Sequence, residues 1–160
     1  MLLASLAACL TLHRVEYAVI GGMAMARWDG ARIPDDLDVV LGERHGNGDR
    51  FLRALVTIER RYGLDSPGGL TLVAEDLEAG AEAEIRTAAG RIDVIGRGLA
   101  GPSRRVVVDG RGWWFPAGRP VAVCRFEHLL QIKHATGGAR DAADCRRLET
   151  LMADRVRLRD

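Results

Sequence analysis

Two carboxylates one residue apart, at the head of an apolar stretch, are the first feature of this chain able to do chemistry. In Asp36-Leu-Asp38, followed by Val39-Val40-Leu41, strand alternation turns both acids to one face. Held about 4 Å apart, two such charges repel by about 4 kcal/mol in a surface-like dielectric. A divalent cation removes that repulsion, and hard carboxylate oxygens suit Mg²⁺. Taken alone, the pair also fits a solvated acidic strand end. The second feature is Ile20-Gly21-Gly22, a glycine pair between an apolar strand and a helix. There, backbone N–H groups can approach a phosphate at a helix N-terminus; a tight turn is the plainer reading. The third is Asp93, a lone acid within Ile92-Asp93-Val94-Ile95. An ionised carboxylate in an apolar strand is costly unless it is paired, metal-bound or turned to water.

These residues need elements to position them. A leading helix is expected over residues 2–14, then a short strand, Tyr17–Ile20, and a helix from Met23 to Trp28 opened by the glycine pair. Residues 29–35 read as a loop. Leu37–Leu41 is a strand apolar on both sides after its first turn, so covered on both faces. His45-Gly46-Asn47-Gly48 punctuates the chain before a helix from Asp49 to Tyr62, whose Phe51, Leu52, Leu55, Val56 and Ile58 recur at helical spacing. Asp65–Gly69 is a turn, and residues 70–82 show no clear period. Glu84–Thr87 and Arg91–Ile95 form a hairpin about Gly90. Val106–Val108 and the segment from Trp113 to Val123 read as further strands. Residues from Phe126 to Met152 are helical, broken at Gly137-Gly138. The expected class is α/β (α+β), a small mixed sheet flanked by helices with a C-terminal helical segment.

Composition fits a globular domain. Of 160 residues, 48% are hydrophobic and 28% charged, which argues against disorder. Lys and Arg number 23 against 22 Asp and Glu, so no global basic field advertises nucleic acid, although a local groove would suffice. Three widely spaced cysteines, Cys9, Cys124 and Cys145, indicate neither a disulfide framework nor a zinc site and read as buried thiols of a cytoplasmic protein. The opening apolar run lacks a basic segment before it and is too short to span a bilayer, so a helix packed on a sheet is expected and no membrane partner. With no repeat or low-complexity linker, one domain over 1–160 is expected, a sheet-bearing core over 1–124 followed by helices over 125–160.

Taken jointly, Gly21-Gly22, Arg32-x-x-x-Asp36-Leu-Asp38 and the distal Asp93 resemble the DNA-polymerase-beta-like nucleotidyltransferase superfamily. The tail, Phe126-Glu-His-Leu-Leu-Gln-Ile-Lys133 followed by Arg140-Asp141-Ala-Ala-Asp144, is similar to the helices of its abortive-infection (AbiEii-type) toxin branch. Three positions depart from that pattern: Pro34 where a threonine is usual, Gly22-Met23 in place of the serine variant, and Arg140 for the more usual lysine.

The resemblance implies a nucleotidyltransferase fold and an enzyme that moves a nucleoside monophosphate from an NTP to a hydroxyl acceptor. Asp36, Asp38 and Asp93 would be the catalytic and metal-binding residues, with Mg²⁺ or Mn²⁺ as cofactor. Gly21, Gly22 and Lys133 would bind the nucleotide. It also implies an RNA or protein acceptor, and a toxin–antitoxin or phage-defence role with an antitoxin partner. The alternative is a degenerate nucleotide-binding or regulatory module on the same fold. Lys133, beside the apolar Leu129, Leu130 and Ile132, is expected to reach the carboxylate cleft with its long stem; a solvated helix lysine is the other reading. Asp141 and Asp144 read as helix caps or partners of Arg140 or Arg146. Trp113-Trp114 offers either a base-stacking platform or sheet-face packing. The histidines His13, His45, His128 and His134 have no metal-ligand spacing.

Overall fold

The computed structural model describes residues 2–65 and 71–157, with side chains described up to residue 154. Element α1 (Leu2–Leu12) leads into β1 (Tyr17–Val19), α2 (Gly21–Trp28) and β2 (Asp36–Leu41). Next come α3 (Asn47–Tyr62), the short α4 (Ala74–Glu78) and the hairpin β3 (Ala83–Thr87)–β4 (Gly90–Ile95). The chain continues through α5 (Arg104–Asp109), β5 (Gly112–Trp114), β6 (Val121–Val123), α6 (Phe126–Thr136) and α7 (Ala139–Arg157). The described strands form one mixed sheet in the order β3-β4-β2-β1-β6-β5. Strand β2 runs antiparallel to β1 and parallel to β4, and β1 runs parallel to β6. The α/β class with a small mixed sheet and C-terminal helices is therefore the observed one.

The core follows from strand patterning. Leu37, Val39, Ile85, Ile92 and Val94 turn to one side of the sheet and are buried there. Beneath them lies α1, whose Leu3, Ala4, Leu6, Ala7 and Leu10 are buried, as expected for a helix packed on a sheet. Tyr17 pins this layer: its hydroxyl donates to the Ala7 carbonyl at 2.9 Å and accepts the Ala122 amide at 3.3 Å. The buried Asn47 fixes the start of α3. It accepts the Glu16 amide at 2.7 Å and donates to the Glu16 and Gly42 carbonyls, each at 2.9 Å. No helix among the described residues is long and apolar enough to cross a membrane.

Val106–Val108 is not a strand but the heart of α5. Ser103 caps that helix by accepting the Val106 amide, and Arg104 donates to the Leu77 and Glu78 carbonyls at 3.2 and 2.6 Å. Val107 and Val108 are buried while Val106 is 48% exposed. The cap and this one-sided burial override the strand preference of three valines, a preference that depends on context. The turn expected at 65–69 lies, from residue 66 onward, outside the described residues.

Candidate carboxylate site

The site is built by three neighbouring strands. Parallel pairing of β2 with β4 sets Asp36 opposite Arg91 and Asp38 opposite Asp93. Antiparallel pairing of β3 with β4 sets Arg86 opposite Arg91 and Glu84 opposite Asp93. Directly opposed residues share a face, so the sheet carries two cross-strand rows there, Arg86–Arg91–Asp36 and Glu84–Asp93–Asp38. Asp36, Asp38 and Asp93 each offer an oxygen such that all three oxygens lie within 4.8 Å of one another. The expected convergence of Asp93 with the Asp-x-Asp pair is therefore present.

Electrostatics at this point are unfavourable without a cation. The Asp38 carboxyl is pushed up to about 6, first by burial and then by the charges of Asp36 and Asp93, against the pull of the Gly22 amide and Arg91. Asp93 is also raised, first by burial; its Oδ1 is buried and has no hydrogen-bond partner among the described residues. Arg91 supplies the counter-charge. Its guanidinium donates to Asp36 and lies 3.0 Å from Asp93 Oδ2. Three partly buried carboxylates, one with an unused buried oxygen, are a donor set that fits a hard divalent cation.

The glycine pair abuts this cluster. Gly21 has φ +59°, and a Cβ at that position would overlap the Asp38 carboxylate. Only glycine both adopts that left-handed conformation cheaply and leaves the space. The Ile20 amide donates to the Asp38 carbonyl at 3.0 Å, tying the start of α2 to β2. Lys133 comes to the same place from α6. Gly21, Asp38, Thr136, Asp141 and Lys133 line one cavity of about 320 Å³.

Lys133 is not the boundary lysine that helical spacing suggests. It is only 7% exposed, and its ammonium pairs with Asp141 at 2.8 Å and Asp144 at 2.7 Å. Burial lowers its pKa, but the bonds and charges of those two acids outweigh burial and hold it above the usual lysine value. The expectation that Asp141 and Asp144 pair with Arg140 or Arg146 is thus corrected. Arg32, from the loop before β2, adds a contact of 3.5 Å to Asp144, and Arg140 instead meets Asp35 at 3.7 Å. The signal was legible in outline. Gly137-Gly138 folds α6 back against α7, and Asp141 and Asp144 share a face three residues apart.

Arg91 and Arg86 were the residues missed, although alternation in Arg91-Ile-Asp93 already puts the arginine on the acid's face. On the far side of Asp36 from Lys133, a second, open cavity of about 740 Å³ is lined by Asp36, Arg91, Arg86, Thr87 and Tyr62, among others. Trp113 is 51% exposed on the edge strand β5. Trp114 lines a separate apolar cavity with Met23, Ile33 and Pro34. Neither tryptophan lines the two cavities that meet the carboxylates.

No protein-family model and no curated protein matches the sequence. Solved structures do match over nearly the whole chain. One is an antigenic nucleotidyltransferase-like protein from Paracoccidioides brasiliensis, 16% identical, with a TM-score of 0.57 over 94% of this chain and 73% of that one. The antibiotic-resistance factor ANT(2'')-Ia matches in its solution structure at 13% identity and TM-score 0.51, over 97% of this chain and 92% of that one. Its crystal structure in complex with adenylyl-2''-tobramycin matches at 15% identity and TM-score 0.52, over 96% and 94%. At these identities the likeness is one of architecture, and the chain carries the fold of the nucleotidyltransferases.

Proposed function

We propose that this protein is a divalent-cation-dependent nucleotidyltransferase that moves a nucleoside monophosphate from an NTP to a hydroxyl acceptor. The observation that carries the reading is the meeting of Asp36, Asp38 and Asp93 beside the Gly21-Gly22 helix start, with Lys133 in the same cleft. In the reaction the acceptor oxygen attacks the α-phosphorus, the bond to the β-phosphate bridging oxygen breaks, and pyrophosphate leaves. Asp36, Asp38 and Asp93 would hold Mg²⁺ or Mn²⁺, which when bound neutralises the phosphates and polarises the phosphorus under attack. Asp93 would take the acceptor's proton. The N-terminus of α2 would offer its amides to the triphosphate, and Lys133, held in place by Asp141 and Asp144, would add a point charge.

On the resemblance of its tail, the acceptor is an RNA end or a protein, and the protein is the toxin of a toxin–antitoxin or phage-defence pair working in the cytoplasm. A small-molecule hydroxyl is the second reading, favoured by the near full-length likeness to ANT(2'')-Ia, whose complex holds an adenylylated aminoglycoside. Intact carboxylates argue against a purely regulatory module. The test incubates the full-length protein with each labelled NTP, Mg²⁺ or Mn²⁺, and in turn total tRNA, cell protein and an aminoglycoside. Label transferred by the natural protein and not by an Asp38→Asn variant is expected. No transfer to any acceptor would sink the reading in favour of a binding module.

A further inference from the structure

Arg91 stands where a cation is wanted, and it has somewhere else to go. The two cross-strand rows hold four carboxylates, Asp36, Asp38, Glu84 and Asp93, against two guanidiniums, Arg86 and Arg91. That face is therefore two charges short of neutral when every acid is ionised. Arg91 bridges Asp36 and Asp93 from β4, two of the three carboxylates whose oxygens come together there. A cation bound there would leave Arg91 with Glu84 alone, now 3.9 Å away. Arg86, directly opposite across the ladder, already holds Glu84 at 2.6 Å. Two like charges directly opposed on a strand pair repel, and an oxyanion between them would reverse that sign. Both arginines line the open cavity on the Asp36 side, whose wall also carries Asp65 and Asp35, the latter 3.7 Å from Arg140, whereas Lys133 and Gly21 line the cavity on the Asp38 side.

We propose that the Arg91–Arg86 cavity is an oxyanion subsite for the acceptor, completed when Arg91 leaves Asp36 and Asp93 in exchange for a divalent cation. This rests on the nucleotidyl-transfer reading and adds an order of events to it. The subsite has little affinity while Arg91 is engaged with the carboxylates, and gains it on cation loading. The released guanidinium presents two parallel N–H donors, which match a phosphate or sulfate edge. An acceptor that carries a phosphate near its hydroxyl would therefore dock only on the loaded enzyme, while the nucleotide's own phosphates stay with Lys133.

The test is Mn²⁺ binding by the metal-free, full-length protein, read by calorimetry or by electron paramagnetic resonance of free Mn²⁺. Arg91→Gln should bind Mn²⁺ about tenfold tighter than the natural protein, because no internal cation must be displaced. Sulfate, as the probe oxyanion, should tighten Mn²⁺ binding severalfold in the natural protein, and Mn²⁺ should tighten sulfate binding by the same factor. That coupling should vanish in Arg91→Gln and persist with a saturating non-hydrolysable NTP analogue. A dinucleoside monophosphate should reproduce the sulfate effect and the uncharged nucleoside should not. Equal Mn²⁺ affinity in the two proteins, or equal sulfate coupling, would overturn the proposal. Coupling abolished by the NTP analogue would assign the oxyanion site to the triphosphate and overturn it as an acceptor subsite. If Arg91→Gln does not fold, Arg91→Lys serves, since one ammonium replaces a two-carboxylate fork. It should bind Mn²⁺ more tightly than the natural protein, and equal binding again refutes the exchange. Mn²⁺ binding without any Arg91 effect removes this proposal alone; no Mn²⁺ binding by either protein removes the metal-dependent reading with it.

Discussion

Replacing Asp38 by asparagine should stabilise the metal-free protein while removing transfer. Asparagine keeps the size of the side chain and an oxygen able to accept the Gly22 amide, and it discards a charge that the fold holds at a cost. The Asp38 carboxyl sits at about 6 instead of the usual 3.8, through burial and the charges of Asp36 and Asp93. At about 1.36 kcal/mol per unit, the ionised side chain costs up to about 3 kcal/mol in the folded state. The folded pKa lies above the unfolded one, so the native state binds the extra proton between about pH 4 and 6 and stability falls as pH rises through that window. Above it, near pH 8, Asp38→Asn should gain about 1–3 kcal/mol, a rise in melting temperature on the order of 3–9 °C for a domain of this size. Near pH 4 both side chains are neutral and the two proteins should melt together. The assay is thermal unfolding of both metal-free proteins at those two pH values, repeated with Mg²⁺ and a non-hydrolysable NTP. The ligand-induced rise should shrink in the variant, because a ligand that binds only the native state stabilises by mass action. A variant less stable than the natural protein near pH 8 would refute the reasoning and make Asp38 a structural hydrogen-bonding residue. Equal stabilisation by Mg²⁺ and nucleotide in both would deny it a ligand role.

Three further outcomes follow from the same geometry. Gly21→Ala should lose transfer and at least about 1–2 kcal/mol of stability, since alanine disfavours the left-handed φ and its Cβ meets the Asp38 carboxylate; urea unfolding with the transfer assay measures both. Lys133→Met should cost about 3–5 kcal/mol, because removing one partner strands Asp141 and Asp144 around a buried site, and a Lys133→Met, Asp144→Asn double variant should recover part of that loss in the same denaturant titration. Mg²⁺ affinity, followed by calorimetry in buffers of different ionisation enthalpy, should fall as pH drops through about 6, with uptake of the cation releasing up to one proton from Asp38; affinity flat across that window would contradict the raised carboxyl.

How much of this was legible in the sequence divides by the range of the interaction. Asp36 and Asp38 were found because alternation along a strand is a local rule, Asp93 joined them only through the family resemblance, and the Glu84–Ile95 hairpin was found because its two-residue turn ends at Gly90. The valines of α5 misled because their conformation is set by the Ser103 cap and by which sides of Val107 and Val108 are covered. Lys133 was placed in the right helix with the wrong surroundings. Helical spacing describes one helix, while its burial is decided by Asp141 and Asp144 on the next one. Arg91 was overlooked for the opposite reason. Its partner on β2 lies 55 positions away in the chain, and a basic residue at a strand start looks like any solvated arginine.

The location of the site follows from how β2 changes character along its length. Asp36 and Asp38 alternate with the buried Leu37, but Val39, Val40 and Leu41 are all buried, so the sheet is covered on both faces there and on one face only at the Asp36 end. Carboxylates can be held in a row on that uncovered end because water still reaches them, yet burial is deep enough to raise Asp38 and Asp93. Full cover would force the acids neutral, and full exposure would let water screen them until no cation was needed. A partly covered strand end lies between those limits. Its charges are costly enough that a cation, whether Arg91 or a metal, is required to hold them together, and accessible enough that one can replace the other. Gly21 stands at the same rim, where a Cβ would run into the Asp38 carboxylate.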